Sequence, residues 1–161
     1  MKRFLSLRLP SLALAFAGAC LLSGCVNIPV SLDDTATLSA KIGVPAADIK
    51  AVYACSFSEQ LQGSTAYVPS IRGQLVLTRH SLFLCKSKGL LDAAANYEIP
   101  YADITGVRLD FPTLGSVLHV LHSRYDLTLI GESGAVTNST AATKELRAAI
   151  EAARAAGTPK P

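Results

Sequence analysis

After Ala51 this chain is built from short β-type runs, and near Ala141 the apolar period changes to that of a helix. No other feature narrows the fold as much. Successive side chains of a strand point to opposite faces, so a half-buried strand alternates apolar and polar residues. Val107, Leu109 and Phe111 alternate in this way with Arg108 and Asp110. "VYACSF" places Tyr53, Cys55 and Phe57 on one face. "QLVLT" and "SLFLCK" flank Arg79-His80, and "SVLHVL" and "YDLTLI" flank His122-Ser123-Arg124, so each pair reads as a hairpin. "QGSTAYVPSIRG", punctuated by Gly63, Pro69 and Gly73, reads as a loop or an irregular edge strand, and "KSKGLLDAAAN" as a second connection. From Ala141 onward, Ala142, Leu146, Ala149, Ile150 and Ala153 share one helical face. Asn138, Ser139 or Thr140 can cap its start, and Gly157 with Pro159 ends it. The expected fold class is mainly β with a C-terminal α-helix: a small antiparallel curved sheet or barrel whose open end the helix covers.

The N-terminus carries an address. Lys2, Arg3 and Arg8 precede an uncharged stretch from Leu9 to Leu22 rich in Leu, Ala and Phe. Basic start, apolar middle and small residues at the end make the layout of a secretory signal peptide. The stretch is shorter than the roughly 20 apolar residues a spanning helix needs, and Pro10 and Gly18 interrupt it. Leu22-Ser23-Gly24-Cys25 then resembles the lipobox of bacterial lipoproteins. The resemblance implies a diacylglycerol thioether on Cys25, cleavage before it, and acylation of the new amino group. A thiol is the side chain nucleophilic enough near neutral pH for that bond. Two or more acyl chains anchor stably where a single short one does not. Val26 follows the cysteine, where Gram-negative lipoproteins retained at the inner membrane tend to carry Asp. The implied address is therefore the periplasmic face of the outer membrane.

Removing the leader changes the charge. Three of the 15 basic residues lie in it and none of the 12 acidic ones, so residues 25–161 are formally neutral. That leaves no basic footprint for nucleic acid and no polybasic patch for anionic lipid. The expected division is a signal peptide over 1–24, a lipidated N-terminus and tether over 25–50, and one domain over 51–157. Pro45 can open a short helical turn at the end of the tether. Cys55 and Cys85 are the cysteines left to the domain, and in an oxidising compartment they either bridge or stay as buried thiols.

"GQLVLTRHSLFLCK", "IPYADITGVRLDF" and the closing helix together resemble the pleckstrin-homology-like (PH-like) fold, in particular its GRAM-like and bacterial branches. The resemblance covers about residues 51–156. It implies a curved sheet closed by a helix, and it draws attention to basic residues near the first strands. Arg72, Arg79, Lys86 and Lys88 are the candidates there for contact with a headgroup or a partner.

Catalytic and metal chemistry find little support. His119 and His122 are three apart and face opposite sides of a strand, with no cysteine or carboxylate cluster at ligand spacing. His80-Ser81 lies in a turn without a third orienting group. Asp33-Asp34 lies in the expected tether, and Asp110 faces solvent by alternation. No cofactor is expected. The expected role is non-enzymatic: a protein-binding or scaffold module held on a membrane by its N-terminal acyl chains, with another envelope protein as partner. The alternative is a carrier or sensor for a small apolar or lipid ligand in a curved-sheet cup.

Overall fold

The computed structural model describes residues 30–61, 69–86, 97–111, 115–134 and 138–157. The leader, Cys25 and Lys88 lie outside them. Seven strands form one antiparallel sheet: β1 (Ala51–Leu61), β2 (Ile71–Leu77), β3 (Ser81–Lys86), β4 (Tyr97–Pro100), β5 (Ile104–Asp110), β6 (Val117–His122) and β7 (Tyr125–Gly131). Two helices accompany them, α1 (Thr35–Ile42) and α2 (Thr140–Gly157), with 3-10 turns at Ala46–Asp48 and Tyr101–Asp103. The strand order is β4-β3-β2-β1-β7-β6-β5. β1 is long enough to serve both halves. Residues Ala51 to Phe57 pair with β2, and Cys55 to Leu61 pair with β7. The sheet bends there into a half-barrel.

The main core fills the concave side. Phe57, Leu75, Leu84, Leu118 and Leu129 meet there, and Leu146 and Ile150 of α2 enter the same cluster with essentially no exposure. Helix α2 closes that side as its apolar period requires. Ser139 starts the helix, its Oγ accepting from Ala142 N at 3.2 Å. Thr143, fully buried, donates to the Ser139 carbonyl and accepts from Gly131 N, both at 2.9 Å. The helix and β7 thus touch through backbone. A Cβ at Gly131 would lie 2.5 Å from Ala142 C and Thr143 N. At the other end of the helix, Arg154 Nη2 donates to the Ile104 carbonyl at 2.7 Å and ties the edge strand β5 to the lid.

The strand and helix expectations hold, with β2 beginning at Ile71 inside the stretch read as a loop. Two local readings need correction. Phe111 lies past the end of β5 and is 62% exposed, with Lys144 Nζ 5.6 Å from its ring centroid; its alternation stops where the strand does. The second correction concerns residues 33–50, which were read as tether. Asp34 caps α1 by accepting from Thr37 N at 2.8 Å, and Gly43, at φ 72°, closes it in the left-handed region that glycine tolerates. The turn expected after Pro45 is present. Leu38 is fully buried against Val76, Phe83 and Cys85 on the convex side of β2 and β3, with Ile42, Val44, Ile49 and Val52 around it. Asp33 seals the contact: its N–H donates to Gln74 Oε1 at 2.9 Å, and its carboxylate accepts from Gln74 Nε2 at 2.7 Å. Lys41 Nζ reaches Asp33 at 3.5 Å and the Lys86 carbonyl at 3.1 Å. The β2–β3 pair therefore lies between two apolar layers.

Candidate functional site

A groove of about 540 Å³ runs between the C-terminal half of α2 and the paired ends of β1 and β2. Ala149, Ala152, Ala153 and Ala156 form its helical wall. Their spacing puts all four on one face, and their short side chains leave the space between helix and sheet unfilled. Ala51, Tyr53 and Leu77 form the opposite wall. Ala51 pairs with Leu77, and Lys50 N donates to the Leu77 carbonyl at 2.8 Å, which fixes this end of the sheet. The Thr78–Arg79 turn closes one end. It is held from below by Tyr101, whose hydroxyl donates to the Thr78 carbonyl at 3.0 Å. Gly157 abuts the same turn: a Cβ there would lie 2.9 Å from the Arg79 carbonyl oxygen.

The groove is mostly apolar, with Asp48, Lys50 and Arg79 as its charged lining residues. Lys50 Nζ donates to the Ala47 carbonyl at 3.0 Å, and neither it nor the exposed Arg79 pairs with a carboxylate among the described residues. Burial raises the Tyr53 hydroxyl pKa, with a further rise from the negative charge of Glu145. The groove is thus polarised, with Arg79 at the Gly157 end of its helical wall and Glu145 one turn before Ala149.

A second polar cluster lies on the convex side. Glu132, with a side chain only 1% exposed, accepts from Ser56 Oγ at 2.6 Å and from Arg72 Nε at 3.0 Å and Nη2 at 2.6 Å. A bidentate guanidinium–carboxylate pair of this kind is tightly oriented. It ties β2 to the end of β7 across β1, where Glu132 N also donates to the Ala54 carbonyl at 3.1 Å. Removing one partner from such a buried pair typically costs about 3–5 kcal/mol, so the cluster is read as a structural clasp.

The basic candidates are not brought together. Arg72 is spent on Glu132. Lys86 and Arg79 lie at opposite ends of the β2–β3 hairpin, with the pairs from Gly73↔Lys86 to Leu77↔Leu82 between them. Of the three that are described, only Arg79 lines the groove. Cys55 and Cys85 are free thiols. They belong to clusters on opposite faces of the sheet, so the bridge considered from the sequence is not made. Burial holds both thiols protonated, Cys85 being pushed up to about 11.

The histidines also stay apart. His119 Nε2 is 3.3 Å from Asp110 Oδ2, and His122 stacks on Tyr125 with centroids 4.3 Å apart. Among the described residues no group of three His, Cys, Asp or Glu could hold a metal ion. The sequence reading missed both Glu132 and the groove. Glu132 follows a strand and looks solvated; the alanines looked like a lid's contact face, and only their i, i+3, i+4, i+7 spacing hinted at a gap.

No family model matches the chain, and no curated protein matches it. Among solved structures, the chain is similar to the crystal structure of the C-terminal domain of an unknown protein from Leishmania infantum. The two share 16% identity with a TM-score of 0.51, covering 73% of this chain and 95% of that one. The likeness is one of fold. The protein is a mainly β, seven-stranded half-barrel closed by a C-terminal helix, consistent with a PH-like fold.

Proposed function

We propose that this chain is a lipid-anchored bacterial envelope protein whose half-barrel is a non-enzymatic binding module held close to the bilayer, at the periplasmic face of the outer membrane. The observation that carries the reading is the distance in sequence between the lipobox cysteine and the folded domain. Cys25 stands eight residues before Asp33, the first residue fastened to the sheet. Eight residues span at most about 28 Å when fully extended. A domain on so short a leash is concentrated at one membrane surface, which raises its effective concentration toward anything else held there. Its partner, in this reading, is another envelope protein. Among the described residues no helix is long and apolar enough to cross a membrane.

Cys25→Ser is the test. The variant is expected to leave the membrane fraction or to accumulate as uncleaved precursor, and the wild-type chain to weigh more than residues 25–161 by its acyl groups. Mature, membrane-bound variant protein at the unmodified mass overturns the anchor.

A second reading is supported by the groove beside α2. Its volume falls in the range of about 300–1,000 Å³ common to small-molecule sites, and its walls are apolar with a few polar groups at one end. A carrier or sensor of a small apolar ligand would have such a site.

A further inference from the structure

We infer that the groove between α2 and the β1–β2 ends takes a single-chain amphiphile with an anionic head, a long-chain carboxylate, bound head-first toward Arg79. The inference rests on the ligand-binding reading above and adds the ligand's class and direction; it does not depend on the acyl anchor.

Three observations converge. The walls offer only aliphatic and aromatic carbon to a tail: the alanines of α2 on one side, Ala51, Tyr53 and Leu77 on the other. A branched or ringed ligand needs breadth. Here both walls are regular elements whose lining residues recur along their axes, and from Ala149 to Ala156 the helix advances about 10 Å. The lining therefore favours a chain laid along the helix axis. The charge is also uneven along it. Arg79 and Lys50 line the groove without a carboxylate partner among the described residues, against the single acid Asp48, and Arg79 belongs to the turn that closes the end beside Gly157. At the other end Glu145 acts on Tyr53, so an anionic head placed there would be repelled. A carboxylate at the Arg79 end gains the bidentate geometry that guanidinium offers, and its tail is left to the alanine wall.

The alternative occupants fit less well. A cationic amphiphile would set its head against Arg79 and Lys50 or, reversed, press the end of its tail against those two charges. A peptide would lay its backbone donors and acceptors against the alanine wall of α2, whose own backbone groups are bonded within the helix.

The experiment uses the full chain in phosphatidylcholine vesicles and a lauric-acid analogue with a terminal diazirine. Its twin is an alkylammonium of equal chain length with the same diazirine. After illumination the labelled peptides are mapped. The carboxylate is expected to mark the peptides holding Tyr53 and Ala149 to Ala156, and the ammonium to mark them far less. Within a homologous series of unlabelled carboxylates, each added methylene should compete about fourfold better, the equivalent of ~0.8 kcal/mol, until the groove is full. Arg79→Glu should weaken labelling about tenfold. Ala152→Leu with Ala156→Leu, at two exposed positions that tolerate a good helix former, should block it by filling the space.

Equal labelling by both twins, unmoved by Arg79→Glu, overturns the anionic head while leaving a ligand groove. Labels scattered over the surface, or none in the groove from either probe, overturn the ligand-binding reading itself.

Discussion

Cys85 and Tyr101 keep their protons well above the pH at which free groups lose them. Burial pushes the Cys85 thiol from an ordinary 9.0 to about 11, and the Tyr101 hydroxyl from 10.0 to about 12. Both are acids whose charged form the fold disfavours. Their folded pKa values lie above the unfolded ones, so their contribution to stability is whole below pH 9 and drains away as pH rises through 11 and then 12. The urea midpoint is therefore expected to stay level from neutrality to pH 9 and to fall above it. Cys85→Ala should make the fall between 9 and 11 shallower without abolishing it, because Cys55 and Tyr101 are raised as well. A midpoint that stays level to pH 11 in the wild-type chain would sink the account. Neither thiol announced this in the sequence. The alternation of "VYACSF" placed Cys55 correctly on the inner face. Cys85 depends on a second apolar layer that the sequence reading did not foresee.

At the scale of elements, the hold of α2 on β7 rests on a missing side chain. Gly131 lets the first turn of the helix touch the strand, and Thr143 uses that contact to bridge them by two hydrogen bonds. Gly131→Ala must push the helix away or bend the strand end, and overpacking of this kind costs about 1–3 kcal/mol. Gly43 provides the contrast. Its Cβ would meet nothing within 4 Å, and only its positive φ resists substitution. Gly131→Ala is expected to lower Tm by several degrees and by more than Gly43→Ala does; the reverse order would mean the helix is not seated as described. The helix itself was legible from its period and its Ser139 cap. Its close seating was not, because a glycine at a strand end reads equally well as a turn.

Over the whole molecule, the half-barrel with its lid was legible because alternation and helical period are local signals that the core enforces. The convex layer was not, because "VNIPVSLDDTAT" shows no period, and Leu38, just past it, is the one fully buried residue among 30–50. The candidate site was legible in only one of its parts. Arg79 stood out by charge, whereas the groove arises from where two distant segments stop short of each other. The convex layer carries a further prediction. Removing residues 1–50 should uncover Val76, Phe83 and Cys85 while leaving the inner core closed. Iodoacetamide at pH 8 should then modify Cys85 and spare Cys55, whereas the intact folded chain should be spared at both; mass spectrometry of the two peptides checks it. Modification of neither cysteine would mean that the segment is not the cover it is described to be. That same segment sets how the protein could work. On the proposed anchor, a body fastened at Asp33, eight residues in sequence from Cys25, cannot cross to an opposing membrane or drift into the space between. It searches by sliding in two dimensions, and it meets only what comes to its own surface.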